Sequence, residues 1–166
     1  MPPVNLLIKP ASSNCNLKCK YCFYHSITEN RSVASYGIMS NETAELLIKK
    51  ALDYAENVCT FAFQGGEPTL AGLDYYKNFV QLVNRYNAKR VNINYAIQTN
   101  GIVINDEWAD FLAKNNFLVG LSLDGPKNIN DMNRVDSKHE GSFLRVMDAV
   151  KIFNKFNASL YNFHIN

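Results

Sequence analysis

Three of the four cysteines fall in one short run, Cys15-Asn16-Leu17-Lys18-Cys19-Lys20-Tyr21-Cys22. The Cys-x3-Cys-x2-Cys spacing lets three thiolates converge on one face of a cubane [4Fe–4S] cluster. Ordinary ferredoxin clusters use four cysteines. Three leave one iron with a free position, and an open metal position is where a cofactor or substrate binds and reacts. Other assignments of the same residues are a structural zinc site, Cys3His with His25 as fourth ligand, and a passive electron carrier, which would normally want a fourth cysteine. Cys59, the remaining cysteine, shares a strand face with Phe61 and Phe63 and reads as a small buried hydrophobe.

A second constellation is Gln64-Gly65-Gly66-Glu67-Pro68. Two glycines let the backbone adopt positive φ and come close to a ligand, and carbonyls exposed there can accept from an ammonium group. Ordinary turns use Gly-Gly as well. Ser122 and Arg134 form a third set. A guanidinium can grip a carboxylate bidentately and a hydroxyl can add a hydrogen bond. The same two residues read equally well as a satisfied barrel serine and a solvated arginine. Asp124 and Gln98 are candidates for the same cavity.

The elements that must position these residues alternate between strand and helix. Leu6-Leu7-Ile8 reads as strand one, ended by Pro10 and followed by a loop rich in Ser, Asn and Cys. Helix one starts at an N-cap near Ser40, with Ala44, Leu47, Ile48, Ala51 and Ala55 as its apolar stripe. Strand two is Cys59–Gln64, and helix two spans Leu73–Tyr86 with Tyr76, Phe79, Val80 and Val83 on one face. Strand three is Val91–Gln98. Helix three, Asp106–Asn115, turns Trp108, Phe111 and Leu112 inward. Strand four is Phe117–Leu123. A charged loop then leads to helix four, Ser142–Phe156, and Ala158–Ile165 reads as strand five, with Tyr161, Phe163 and Ile165 on one face.

This order predicts a parallel sheet with right-handed crossovers. Alternate strand residues face opposite sides. Strand two sets Cys59, Phe61 and Phe63 against Thr60, Ala62 and Gln64. Strand three sets Val91, Ile93, Tyr95 and Ile97 against Asn92, Asn94, Ala96 and Gln98. Strand four sets Val119, Leu121 and Leu123 against Leu118, Gly120 and Ser122. A doubly wound sheet would be apolar on both faces. Small or polar faces on three successive strands imply a lumen, hence an α/β fold that is a curled, incomplete (β/α) barrel of four to five βα units. Ligands of such folds sit at the carboxyl ends of strands. The cysteine loop, Gly65-Gly66-Glu67-Pro68, Thr99-Asn100-Gly101 and Asp124-Gly125-Pro126 all fall there.

The balance of 17 Lys plus Arg against 15 Asp plus Glu gives a net charge of +2, which argues against charge-driven binding of nucleic acid or membrane. No apolar run approaches the roughly 18 residues of a membrane span. The segment Met1-Pro2-Pro3-Val4-Asn5 lacks the features of a secretory signal. A cytoplasmic chain with reduced thiols follows as the expectation, which favours ligands over disulfides.

Cys-x3-Cys-x2-Cys after the first strand of a partial barrel resembles the radical S-adenosylmethionine superfamily. That resemblance implies a [4Fe–4S] cluster on Cys15, Cys19 and Cys22, with S-adenosylmethionine chelating the open iron. It further implies that Gly65, Gly66 and Glu67 hold the methionine amino group, that Ser122 and Arg134 hold carboxylate and ribose, and that Gln98 belongs to the same cofactor site. Tyr21 would contact adenine through its backbone. The runs Lys9-Pro10-Ala11-Ser12-Ser13-Asn14-Cys15, Cys22-Phe23-Tyr24-His25, Phe63-Gln64-Gly65-Gly66-Glu67-Pro68-Thr69-Leu70, Gln98-Thr99-Asn100-Gly101 and Ser122-Leu123-Asp124-Gly125-Pro126 are similar to anaerobic sulfatase-maturating enzymes. These oxidise a Cys or Ser of a client sulfatase to Cα-formylglycine. Gln64 and Tyr24 would then contact the client, and reduced flavodoxin or ferredoxin would supply electrons. A relative that makes thioether links is the neighbouring alternative. In this resemblance residues 1–166 form an incomplete core domain. The catalytic base and the cysteine-rich C-terminal domain of that family are expected beyond residue 166.

Overall fold

The computed structural model describes residues 3–156 and 160–164, the last five as backbone only, and the described side chains exclude His25, Ser26 and Glu29. The expected face of Tyr161, Phe163 and Ile165 therefore lies outside the described side chains. Five strands, β1 (Val4–Ile8), β2 (Val58–Phe63), β3 (Asn92–Thr99), β4 (Phe117–Ser122) and β5 (Leu160–His164), form one sheet in sequential order. Every neighbouring pair is parallel. A parallel sheet laid down in chain order, with right-handed crossovers, keeps its helices on one face. The other face is left as the concave side of a barrel segment, as the strand alternation predicts.

The side-chain environments follow that alternation. Cys59, Phe61 and Phe63 of β2 are sealed against the helices, as are Tyr95 and Ile97 of β3 and Val119 and Leu121 of β4. On the concave face Leu7 is 61% exposed and Leu118 is 46% exposed. Gln64, Gln98 and Ser122 lie at the upper end of that same face, where the strands finish.

The crossover helices α2 (Asn41–Tyr54), α3 (Leu73–Tyr86) and α4 (Asp106–Lys114) match the sequence pattern closely. The Ser40 hydroxyl accepts from the Thr43 N–H at 3.2 Å and caps α2, and Asn105 caps α4 through the Trp108 N–H at 3.0 Å. Ala44, Ile48 and Ala51 of α2, with Tyr76, Phe79 and Val83 of α3, close over the sheet. Aromatic rings dominate the contact: Phe63 lies 4.9 Å from Tyr76 and 5.1 Å from Phe79 in edge-on geometry, and Tyr95 stacks on Phe117 at 4.8 Å.

Two short helices depart from the expected loops. Helix α1 (Phe23–Glu29) lies in the segment read as an irregular loop after strand one, and α5 (Lys127–Asn133) lies in the charged loop before the last helix, α6 (Phe143–Lys155). Each has seven residues, too few to display an apolar period. What holds α5 is polar. Asn130 is fully buried, donates to the Ser142 hydroxyl at 3.2 Å and accepts from the Asp124 N–H at 3.3 Å. Ser142, read from sequence as the first residue of this helix, sits one residue before α6, and its side chain does not cap it. The Asp131 carboxylate does so instead, accepting from the Phe143 N–H at 2.8 Å.

Among the described residues no helix is long and apolar enough to cross a membrane. Replacing Phe63 with Ala opens a void between β2 and α3, and a loss of about 3–5 kcal/mol in urea unfolding is expected. Fluorescence of Trp108, whose ring is 5.2 Å from that of Tyr76, reports the transition.

A cysteine-lined cavity at the carboxyl ends of the strands

The cysteine loop leaves β1 and is clamped from two sides. The Glu67 N–H donates to the Asn14 carbonyl at 2.7 Å, which joins the loop to the Gly65-Gly66 turn after β2. The Lys18 and Lys20 N–H groups donate to the carbonyls of Val135 and Asn133 at 2.6 and 2.9 Å, which joins it to the segment after α5. Gly66 makes the first clamp possible. Its φ is +58°, and a Cβ there would lie 2.4 Å from the Asn14 carbonyl oxygen.

Between these clamps lies a cavity of about 370 Å³. Of the residues assigned to the site from sequence, its wall includes Cys15, Cys19, Cys22, Tyr21, Tyr24, Gln64, Gly65, Gly66, Glu67, Gln98, Ser122 and Arg134. Leu17, Phe23, Thr99 and Asn100 complete it. Of these, Thr99 and Asn100 were visible in the sequence as strand-end residues, but nothing there assigned them a partner.

Glu67 does not offer its side chain to the cavity. The carboxylate is 1% exposed. One oxygen accepts from the Thr69 N–H at 3.0 Å and from the Thr69 and Thr99 hydroxyls at 2.7 Å each, and the other accepts from the Asn100 N–H at 2.7 Å. Burial pushes this carboxyl up, against the pull of the same donors. Its part in the site is to bind the turn after β2 to the end of β3, which leaves only backbone for a ligand.

Across the cavity, the Gln98 side-chain amide donates to the Ser122 hydroxyl at 2.9 Å. Gln98 pairs in register with Gly120 and lies over it, since a Cβ on Gly120 would be 2.1 Å from the Gln98 Oε1. Arg134 caps the carboxyl end of α5. Its Nε donates to Asp124 at 2.7 Å, and the other Asp124 oxygen accepts from the Tyr21 hydroxyl at 2.6 Å. Asp124 is 5% exposed and stands behind the cavity rather than in its wall. The expectation that Asp124 shares the cavity is corrected accordingly: it holds two residues that do. Tyr21 thus has a side-chain partner that sequence did not indicate. Burial and Asp124 both raise its phenol. At the rim, Lys9 packs along Gly65 and places its ammonium 4.7 Å from the centre of the Tyr24 ring.

All three clustered cysteines line the cavity. No three described His, Cys, Asp or Glu side chains are grouped to hold one metal ion. His25, the fourth ligand of the Cys3His alternative, lies outside the described side chains. The sulfurs also have N–H donors: the Leu17 N–H at 3.4 Å and Asn100 Nδ2 at 3.8 Å for Cys15, and an Arg134 terminal nitrogen at 3.9 Å for Cys19. The protein around the loop raises the Cys15 thiol to about 11 and raises that of Cys19, where Arg134 pulls the other way. Iron would displace those protons on binding.

Comparison with known proteins agrees with this geometry. The profile of the Radical SAM superfamily matches residues 10–164, and the chain belongs to that superfamily. The family's cofactors are a [4Fe–4S] cluster and S-adenosylmethionine. The chain is 51% identical over 162 residues to a cysteine-type anaerobic sulfatase-maturating enzyme of Clostridium novyi, covering 98% of this chain and 43% of that one. A serine-type enzyme of Bacteroides thetaiotaomicron is 34% identical over 158 residues, covering 92% and 37%. A solved structure described as native anSMEcpe with bound AdoMet and Kp18Cys peptide superposes with a TM-score of 0.90 at 49% identity, covering 96% of this chain and 42% of that one. The chain therefore spans about two fifths of the length of the relatives it matches.

Gly66→Ala should separate the cysteine loop from the turn after β2, because backbone rather than a flexible side chain meets the new methyl. Loss of iron uptake on anaerobic reconstitution, measured by iron content, is the expected result. Uptake equal to wild type would contradict it.

Proposed function

We propose that this chain is the radical-generating part of a peptide-modifying oxidoreductase that converts a cysteine of a client sulfatase to Cα-formylglycine. The observation that carries the proposal is the single cavity in which three cysteines, the Gly65-Gly66 turn, Ser122 and Arg134 meet. Residues 1–166 form the core unit in this reading, and the base for the client thiol comes from sequence outside them.

When bound, the cluster and S-adenosylmethionine would supply one-electron chemistry that removes a hydrogen atom from the client residue. Cys15, Cys19 and Cys22 would hold the cluster, one thiolate fewer than ordinary ferredoxin clusters use. The backbone of Gly65 and Gly66 accepts from the methionine ammonium. Ser122 and Arg134 take the carboxylate and ribose, with Gln98 orienting the Ser122 hydroxyl. Asp124 already occupies Arg134 Nε and one terminal nitrogen faces Cys19, so the remaining N–H groups of the guanidinium are the ones open to a ligand. Gln64 and Tyr24 stand at the rim, where a peptide would enter and present its β-carbon for hydrogen abstraction.

Identity above half to a cysteine-type enzyme and near one third to a serine-type one supports cysteine as the preferred target. A reduced flavodoxin or ferredoxin in the cytoplasm is the proposed electron donor.

Anaerobic reconstitution with iron and sulfide should yield about four irons per chain, and Cys19→Ala should abolish the cluster. Under reduction, the loaded protein should release 5′-deoxyadenosine from S-adenosylmethionine. Ser122→Ala should weaken S-adenosylmethionine binding about fivefold, the effect of one lost hydrogen bond. An iron-free protein, or a cluster indifferent to Cys19, would sink the assignment. Client specificity is a separate matter: in protein extended to the length of the relatives, a sulfatase-derived Cys peptide should be oxidised faster than its Ser counterpart, as read by mass spectrometry.

A further inference from the structure

Asn100 lies between two acidic groups and donates to both. Its backbone N–H donates to the buried Glu67 carboxylate at 2.7 Å. Its side-chain Nδ2 donates to Asn16 Oδ1 at 2.7 Å and points at Cys15 Sγ from 3.8 Å. The amide cannot turn over without loss, because Oδ1 accepts from the Ile102 N–H at 3.0 Å and a reversed amide would set donor against donor. Asn100 is 6% exposed, so little water competes for these contacts.

The anchor is unusually firm. Glu67 gathers donors from Thr69, Thr99 and Asn100, and Thr99 in turn accepts from the Gly101 N–H at 3.1 Å. The end of β3 is therefore held on both sides of Asn100. Its side chain has no role in catching the cofactor in the reading given above, yet it lines the cavity on the cysteine side.

Hydrogen bonds to cluster sulfurs are among the determinants of cluster potential. Reduction adds negative charge to the cluster and its thiolates, and a donor aimed at one of them stabilises the reduced form more than the oxidised form. We infer that Asn100, anchored by Glu67, is the side-chain donor to the Cys15 thiolate that, beside the Leu17 backbone N–H, raises the reduction potential of the bound cluster. Arg134 stands in a similar relation to Cys19 but also belongs to the cofactor site, so among the described side-chain donors to these sulfurs Asn100 is the one that separates tuning from binding. The inference rests on the cluster assignment proposed above.

The test is a potentiometric titration, followed by EPR, of the anaerobically reconstituted protein without S-adenosylmethionine. Asn100→Ala should retain iron, while its reduced-to-oxidised ratio at fixed potential falls about fivefold, or about 40 mV for one electron. Asn16→Ala removes the neighbouring partner of the same amide and leaves the donor to sulfur, so its ratio should stay within about twofold of wild type. If Asn100→Ala fails to fold, Asn100→Asp replaces the donor by an acceptor in the same volume and should lower the ratio at least as far. Unchanged potentials in the Asn100 variants, or equal shifts in Asn100→Ala and Asn16→Ala, would overturn the inference alone. A wild-type protein that takes up no cluster would overturn the proposed function with it.

Discussion

The buried carboxylate of Glu67 is the contact on which the site depends. It sits where the chain leaves β2 and reaches the end of β3 through Thr99 and Asn100. Its own N–H holds the cysteine loop through the Asn14 carbonyl. Three separate loops thus meet at one residue. A buried carboxyl without donors would be costly, and here the neighbouring backbone and hydroxyl groups answer both oxygens. Their cost of ordering is shared with the turn they form, so satisfying the charge and shaping the cavity are one event.

Sheet winding explains why such loops are neighbours at all. Sequential parallel strands bring every carboxyl end to one rim, and the one-sided helices leave the concave face open. On that face the residue sizes matter. Gly120 has no side chain, so Gln98 can cross β4 and reach Ser122. An alanine at position 120 would push Gln98 away from the hydroxyl it donates to.

Charge is arranged with equal economy. The Arg134 guanidinium faces the Cys19 sulfur, and Asp124 fixes its direction while also binding the Tyr21 hydroxyl. One aspartate therefore ties the segment after α5 to the cysteine loop. The ion pair lies mostly out of water, with the two side chains 11% and 4% exposed, so its geometry is held by hydrogen bonding as well as by charge. Asn100 adds a neutral donor at Cys15.

Local chemistry made much of this visible in the chain itself. Cysteine spacing, the Gly-Gly turn and the strict alternation along β2, β3 and β4 are properties of consecutive residues, and they determined the open-faced parallel sheet and the wall of the cavity. The short helices α1 and α5 escaped because seven residues carry no readable period and because α5 is held by the side chain of Asn130, not by an apolar stripe. Partnerships across the fold were likewise out of reach. Nothing in the sequence distinguishes a solvated Asp124 from one gripping Arg134, or a ligand-facing Glu67 from one turned inward, since those outcomes depend on which loops the winding sets side by side. The sequence thus determined which residues line the rim, and only tertiary structure decided which of them face a ligand and which hold the others in place, because burial and long-range hydrogen bonding exist only once the strands have been brought together.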